Sequence, residues 1–140
     1  MAFRAINEEI VVINFDTAPA AAQARDVPFF KAPRAMTITY AYAALNTNIG
    51  TANTTSFYAL SLLNGGTVGT STLTMCTFGS AATPYTWTLS QGYTGTWGTT
   101  SRKDLASGEW VLVREECTST IDTGLATVCV HAVHGTGRVS

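Results

Sequence analysis

MTITYAYAAL, residues 36–45, alternates large apolar side chains (Met36, Ile38, Tyr40, Tyr42) with small or polar ones (Thr37, Thr39, Ala41, Ala43). A period of two sends successive side chains to opposite faces, so the stretch predicts a half-buried strand with the large set on its inner face. The same signature recurs outward from it. Upstream, IVVINF (10–15) predicts a short strand. Downstream, strands are expected in TSFYALSLL (55–63), TLTMCTF (72–78), PYTWTLS (84–90), 109–116 and 125–134. Residues 91–100, with Gly92, Gly95 and Gly98, suit turns or a bulged strand. NTNIGTANT (46–54) and Asn64-Gly65-Gly66 separate them as turn signals. No helical periodicity occurs after Ala35. Short strands at this spacing predict an all-β domain, a sandwich or barrel. The Cys…Trp…Cys spacing of an immunoglobulin domain is missing, which leaves a jelly-roll-like antiparallel β-sandwich as the expected fold.

Residues 1–34 are charged and less regular and read as an N-terminal arm or strand segment, with residues 35–140 as the sandwich body of a single domain. Asp16-Thr17 before APAAAQAR suits either a capped short helix or a plain linker. Pro28 and Pro33 keep the intervening FFKA extended. At the other end, Ile121 to Leu125 fits a three-residue hairpin loop with Gly124 at the bulge position. That register sets Cys117 opposite Cys129, Glu115 opposite His131 and Val113 opposite Val133. Both faces of the hairpin are then apolar, so one of them is expected to be an intersubunit surface.

Composition narrows the functional classes. The chain has 140 residues, 46% of them hydrophobic, enough for one domain with a real core. Charged residues make up 12%, about half the usual share, and the net charge is −1. A nucleic-acid partner would want a basic surface. Nothing charged lies between Arg34 and Arg102, a neutral body that suits surface shielded by neighbours in an assembly. The plainer reading is a Thr-rich β-domain. No continuous apolar run of signal-peptide or membrane-spanning length occurs, so no membrane role and synthesis in a cytoplasm are expected. Cys76, Cys117 and Cys129 are too few and scattered for a disulfide framework.

Cys117, Cys129, His131 and His134 do not converge at zinc-ligand spacings, so no metal is expected. The two histidines lie three residues apart, no G-x-S-x-G elbow occurs, and no phosphate-binding glycine loop is present. Neither a catalytic set nor a cofactor is expected. Tyr85, Trp87, Tyr93 and Trp97 stand among Thr, Ser, Gln and Gly, a composition suited to stacking on sugar rings in a glycan-binding or fibre module. Core or interface packing of the same aromatics is the competing reading.

FFKAPRAMTITYAYAAL (29–45) resembles the opening of small jelly-roll virion proteins of tailed bacteriophages, with a proline before an alternating first body strand. LASGEWVLVREE (105–116) and TGLATVCVHAVHGTG (123–137) are similar to their closing strands. The resemblance implies a head decoration, or cement, protein that trimerises, binds the major capsid protein on the virion surface and stabilises the shell. It carries no catalytic residues over. The interface candidates are Arg4, Glu8, Glu9, Trp110, Leu112, Val128 and Val130, and a homo-oligomer, as a trimer, is the expected assembly.

Overall fold

The computed structural model describes residues 8–17, 23–46, 58–68, 73–78, 92–98, 103–117 and 124–134. Nine strands form from them: β1 (Glu8–Thr17), β2 (Gln23–Lys31), β3 (Met36–Leu45), β4 (Tyr58–Gly66), β5 (Leu73–Phe78), β6 (Tyr93–Trp97), β7 (Asp104–Leu105), β8 (Trp110–Cys117) and β9 (Gly124–His134). Every pairing is antiparallel.

The hydrogen-bonded order is β1-β9-β3-β6-β5-β4-β8-β2, with the two-residue β7 on β3. It reads as two four-stranded sheets, β1-β9-β3-β6 and β2-β8-β4-β5, joined where β6 pairs with β3 through its start and with β5 through its end. Successive long strands cross between the sheets, except in the β4–β5 hairpin. That alternation is the jelly-roll topology. Between the sheets lie Met36, Ile38, Leu45, Leu60, Leu62, Phe78, Val111, Val113, Val128 and Val130, all buried.

The topology corrects the expected terminal hairpin. β8 pairs with β2 and β4, whereas β9 pairs with β1 and β3. Cys117 is therefore opposite Gln23 and Tyr58, and Cys129 opposite Val12 and Tyr42. A jelly roll requires its last two strands to enter different sheets. Their apolar inner faces meet across the core instead of flanking a shared loop.

The N-terminal segment is also part of the sandwich. β1 takes the edge beside β9, and β2 takes the edge beside β8. Asp16 and Thr17 continue β1, and Gln23, Ala24 and Arg25 already belong to β2, so the ends of the expected helix are strand; residues 18–22 lie outside the described residues. Pro28 sits in β2 at a register shift between Pro28 and Phe30, where a residue without an N–H is tolerated on an edge strand.

β3 holds the second correction. Between Ile38 and Tyr40 the register against β9 slips by one, leaving Thr39 as a bulge. Before it Met36 and Ile38 face the core; after it Ala41, Ala43 and Leu45 do. Tyr40 and Tyr42, expected inside with Met36, are thus turned outward. A bulge re-aims every later side chain on its strand.

Asn64-Gly65-Gly66, expected as a turn, still belongs to β4, where the register against β8 slips at Gly65; Asn64 Oδ1 accepts from the Gly66 N–H at 2.8 Å and Gly66 lies at φ 66°. From residue 47 on, the turn signal at 46–54 lies outside the described residues. PYTWTLS (84–90) lies outside the described residues.

Gly95 marks the tightest approach in the core. A Cβ there would lie 2.8 Å from Cys76 Sγ and 3.4 Å from the Phe78 ring. Gly95→Ala is expected to cost about 1–3 kcal/mol, the usual penalty of overpacking. In a Cys76→Ala background the same change should cost much less, because the sulfur has gone. Urea unfolding of the four proteins checks this, and equal penalties in both backgrounds would reject the contact as the cause.

Candidate functional site

The two sheets present very different outer faces. On the β2-β8-β4-β5 sheet, Arg114 makes a forked pair with Asp26, at 2.7 and 2.9 Å. Beside it Lys31 lies over the Trp110 ring at 5.9 Å, and Asn64 donates to Glu109. This is an ordinary solvated, charge-paired surface.

The outer face of β1-β9-β3-β6 is apolar and aromatic at its centre. Strand pairing brings side chains into rows, because residues directly opposite share a face. One row runs Ile10, His131, Tyr40; the next runs Val12, Cys129, Tyr42, Thr94. Ile10, Val12 and Tyr40 are 62, 52 and 42% exposed, large values for side chains of their kind. Three rings meet in the middle. Tyr40 stands edge-on to His131 at 5.7 Å and tilted to Tyr42 at 5.7 Å, and Tyr42 lies 6.4 Å from His131. The Tyr40 hydroxyl is hydrogen-bonded to Thr94 Oγ1 at 3.2 Å. A side-chain hydrogen bond with Cys129, then the charge that thiol would carry when ionised, holds the Tyr42 phenol above its ordinary pKa. The phenol therefore stays protonated throughout the physiological range.

Polar groups frame this centre. Glu8 meets His131 Nδ1 at 3.5 Å, Thr127 donates to Asn14 at 2.6 Å, and Thr37 donates to Asp104 at 2.7 Å. A contiguous apolar patch with a polar rim, carrying Tyr but no central charge, has the anatomy of a protein interface. No group of three or more potential metal ligands occurs among the described residues.

The chain matches no family model, no curated protein and no solved structure. The site has to be read from its own geometry.

The sequence candidates divide sharply. Glu8 belongs to this face, whereas Glu9 points the other way and meets His134 Nε2 at 3.3 Å. Val128 and Val130, expected at an interface, are fully buried in the core, because they are β9's inward set. Leu112 is buried on the outer side of β8 opposite Pro28 and Leu63, and Trp110 is half-buried under Lys31. Arg4, Tyr85 and Trp87 lie outside the described residues.

Tyr93 and Trp97 both pack against the core, and Lys103 Nζ sits 5.4 Å over the Trp97 ring. The open groove beside Trp97, about 360 Å3, is lined by Thr74, Cys76, Thr77, Thr96 and Gly98 among others. Burial pushes the Cys76 thiol up to about 12, so no thiolate is available there at neutral pH. With one face beneath an ammonium and the ring committed to packing, Trp97 is not a free stacking platform.

Sequence reading missed Ile10, Val12, Tyr40, Tyr42 and His131 as a group. They come from three strands far apart in the chain and meet only through long-range pairing.

Proposed function

We propose that the protein is a structural virion subunit, a decoration protein that binds an assembled capsid and stabilises it without chemistry. The observation that carries this reading is the exposed Ile10–Val12–Tyr40 patch on the outer face of the β1-β9-β3-β6 sheet. An isolated protein gains nothing from leaving such side chains in water, whereas a flat apolar face set in a hydrogen-bonding rim suits docking on another protein surface. The jelly-roll fold, the charge-free stretch from 35 to 101 and the resemblance to phage head proteins support the same role. The trimer expected from the sequence loses its main footing, because the doubly apolar hairpin that suggested it does not form.

A ligand that binds only the assembled state raises its stability by RT ln(1 + [L]/Kd), about 2.7 kcal/mol per site at a hundredfold excess over Kd. Purified protein added to bare tailed-phage capsids should cosediment with them and raise their disruption temperature. Val12→Asp should abolish both effects while the protein stays folded. If the intact protein neither cosediments nor raises that temperature, the decoration role is wrong.

A further inference from the structure

We infer that β1 is a strand-addition edge, and that its occupant is β1 of a second copy of this chain, paired antiparallel across a two-fold axis. This goes beyond shell binding and stands on separate observations.

The backbone shows which way the edge faces. Leu125 directs both of its main-chain groups toward β3: its N–H donates to the Asn46 side chain, and its carbonyl accepts from the Asn46 N–H at 3.0 Å. Asp16 lies opposite Leu125, so this is a pair without ladder bonds, and Asp16 must turn its own groups away from β9. Its carbonyl is indeed met from the far side, by Arg25 Nη2 at 2.6 Å. Main-chain groups alternate along a strand, so Glu8, Ile10, Val12 and Asn14 also present their N–H and C=O at the open edge. No strand among the described residues pairs there.

The two edges of the sandwich are treated differently. β2 carries the usual protection: Pro28, a register shift beside it, and the charges Arg25, Asp26 and Lys31. β1 keeps an unbroken ten-residue register and contains no proline; its charges, Glu8, Glu9 and Asp16, sit at its two ends, and the uncharged middle exposes Ile10 and Val12. Its ladder is a ready template.

Self-pairing is favoured by the register it permits. A two-fold perpendicular to the sheet keeps each face on its own side, so even residues must meet even residues. Centred on Val11, the pairing sets Ile10 against Val12 of the other copy and Glu8 against Asn14. These are the residues whose main-chain groups face outward, so each such pair exchanges both hydrogen bonds, roughly eight in all. Centred on Val12, it would set Glu8 against Asp16, two like charges directly opposite. The Val11 register also ends at Asn14, before the Arg25–Asp16 contact, and leaves that contact intact. The product is a continuous eight-stranded sheet whose apolar patch is doubled in extent.

Sedimentation of the full chain at tens of micromolar should show a species of twice the 14.8 kDa chain mass. Val12→Pro removes an edge-facing N–H without costing β1–β9 a bond, and should give a monomer with an unchanged far-UV spectrum. Val12→Lys places a cation beside the edge and should do the same if the proline variant fails to fold. In the Val11 register that residue faces its own copy in a pair without ladder bonds, with Cα atoms about 4.5 Å apart. Val11→Cys should therefore form a disulfide-linked dimer on mild oxidation, and Ile13→Cys should not. A monomeric or trimeric parent, a dimer that survives both Val12 changes, or cross-linking through 13 and not 11 would overturn the inference.

Discussion

Arg25→Ala is expected to be among the most destabilising single changes on the surface of this protein, at about 3 kcal/mol. The cause is Glu115, whose side chain is fully buried on the inner face of β8. Arg25 meets its carboxylate from β2 with Nε at 2.9 Å and Nη2 at 2.7 Å. The same guanidinium donates to the Asp16 carbonyl on β1 and lies 5.9 Å over the Phe15 ring. One side chain thus ties together the two edge strands that backbone pairing leaves apart. Losing one partner of a buried pair costs about 3–5 kcal/mol, and the lower end applies here because Arg25 is itself 42% exposed. For a chain of this length that is a fall of roughly 10 °C in Tm. Replacing both partners, as Arg25→Met with Glu115→Leu, should recover most of the loss, since well-packed apolar groups then take the place of a buried ion pair. Calorimetry on the two variants decides it. A loss under about 1 kcal/mol for Arg25→Ala, typical of a solvated ion pair, would show that Glu115 does not depend on Arg25.

Val130→Asp is expected to abolish folding, whereas Val12→Asp, one strand away, is expected to leave stability within about 0.5 kcal/mol. Val130 is completely buried among aliphatic neighbours, and an unpaired carboxylate placed there costs several kcal/mol, comparable with the whole stability of a small domain. Val12 already stands half in water on the outer face. Soluble yield and urea unfolding compare the two directly. A folded Val130→Asp protein would return Val130 to a surface and so contradict the inward orientation of β9.

Alternation along the chain carried most of the strand content. IVVINF, MTITYAYAAL and TLTMCTF each announce a strand by period or β-branched content, whereas Asn-Gly-Gly turns out to be the bulged end of β4 and not the turn itself. What alternation does not carry is the partner. Val111 and Val113 on β8 and Val128 and Val130 on β9 look equally apolar whether they flank a hairpin or oppose one another across a core. The jelly-roll reading already contained the answer, since its last two strands belong to separate sheets. The Thr39 bulge was illegible for a different reason. An unbroken period of two gives no sign that one residue will drop out of register, yet that slip takes Tyr40 and Tyr42 from the core to the surface. The candidate face exists because a local rule was broken there.

β9 has a consequence for how the protein comes to be folded. It is the last of the described strands in chain order, yet it sits between β1 and β3, with Val133 opposite Glu8. During synthesis β1 and β3 have no shared neighbour, and two apolar ladders wait side by side with the gap between them unfilled. The closing step must bridge more than a hundred residues, so loop entropy is met before any contact rewards it. Folding of such a chain falls in the slow, millisecond-to-second range of β-rich domains. β9 is thus the keystone of the first sheet.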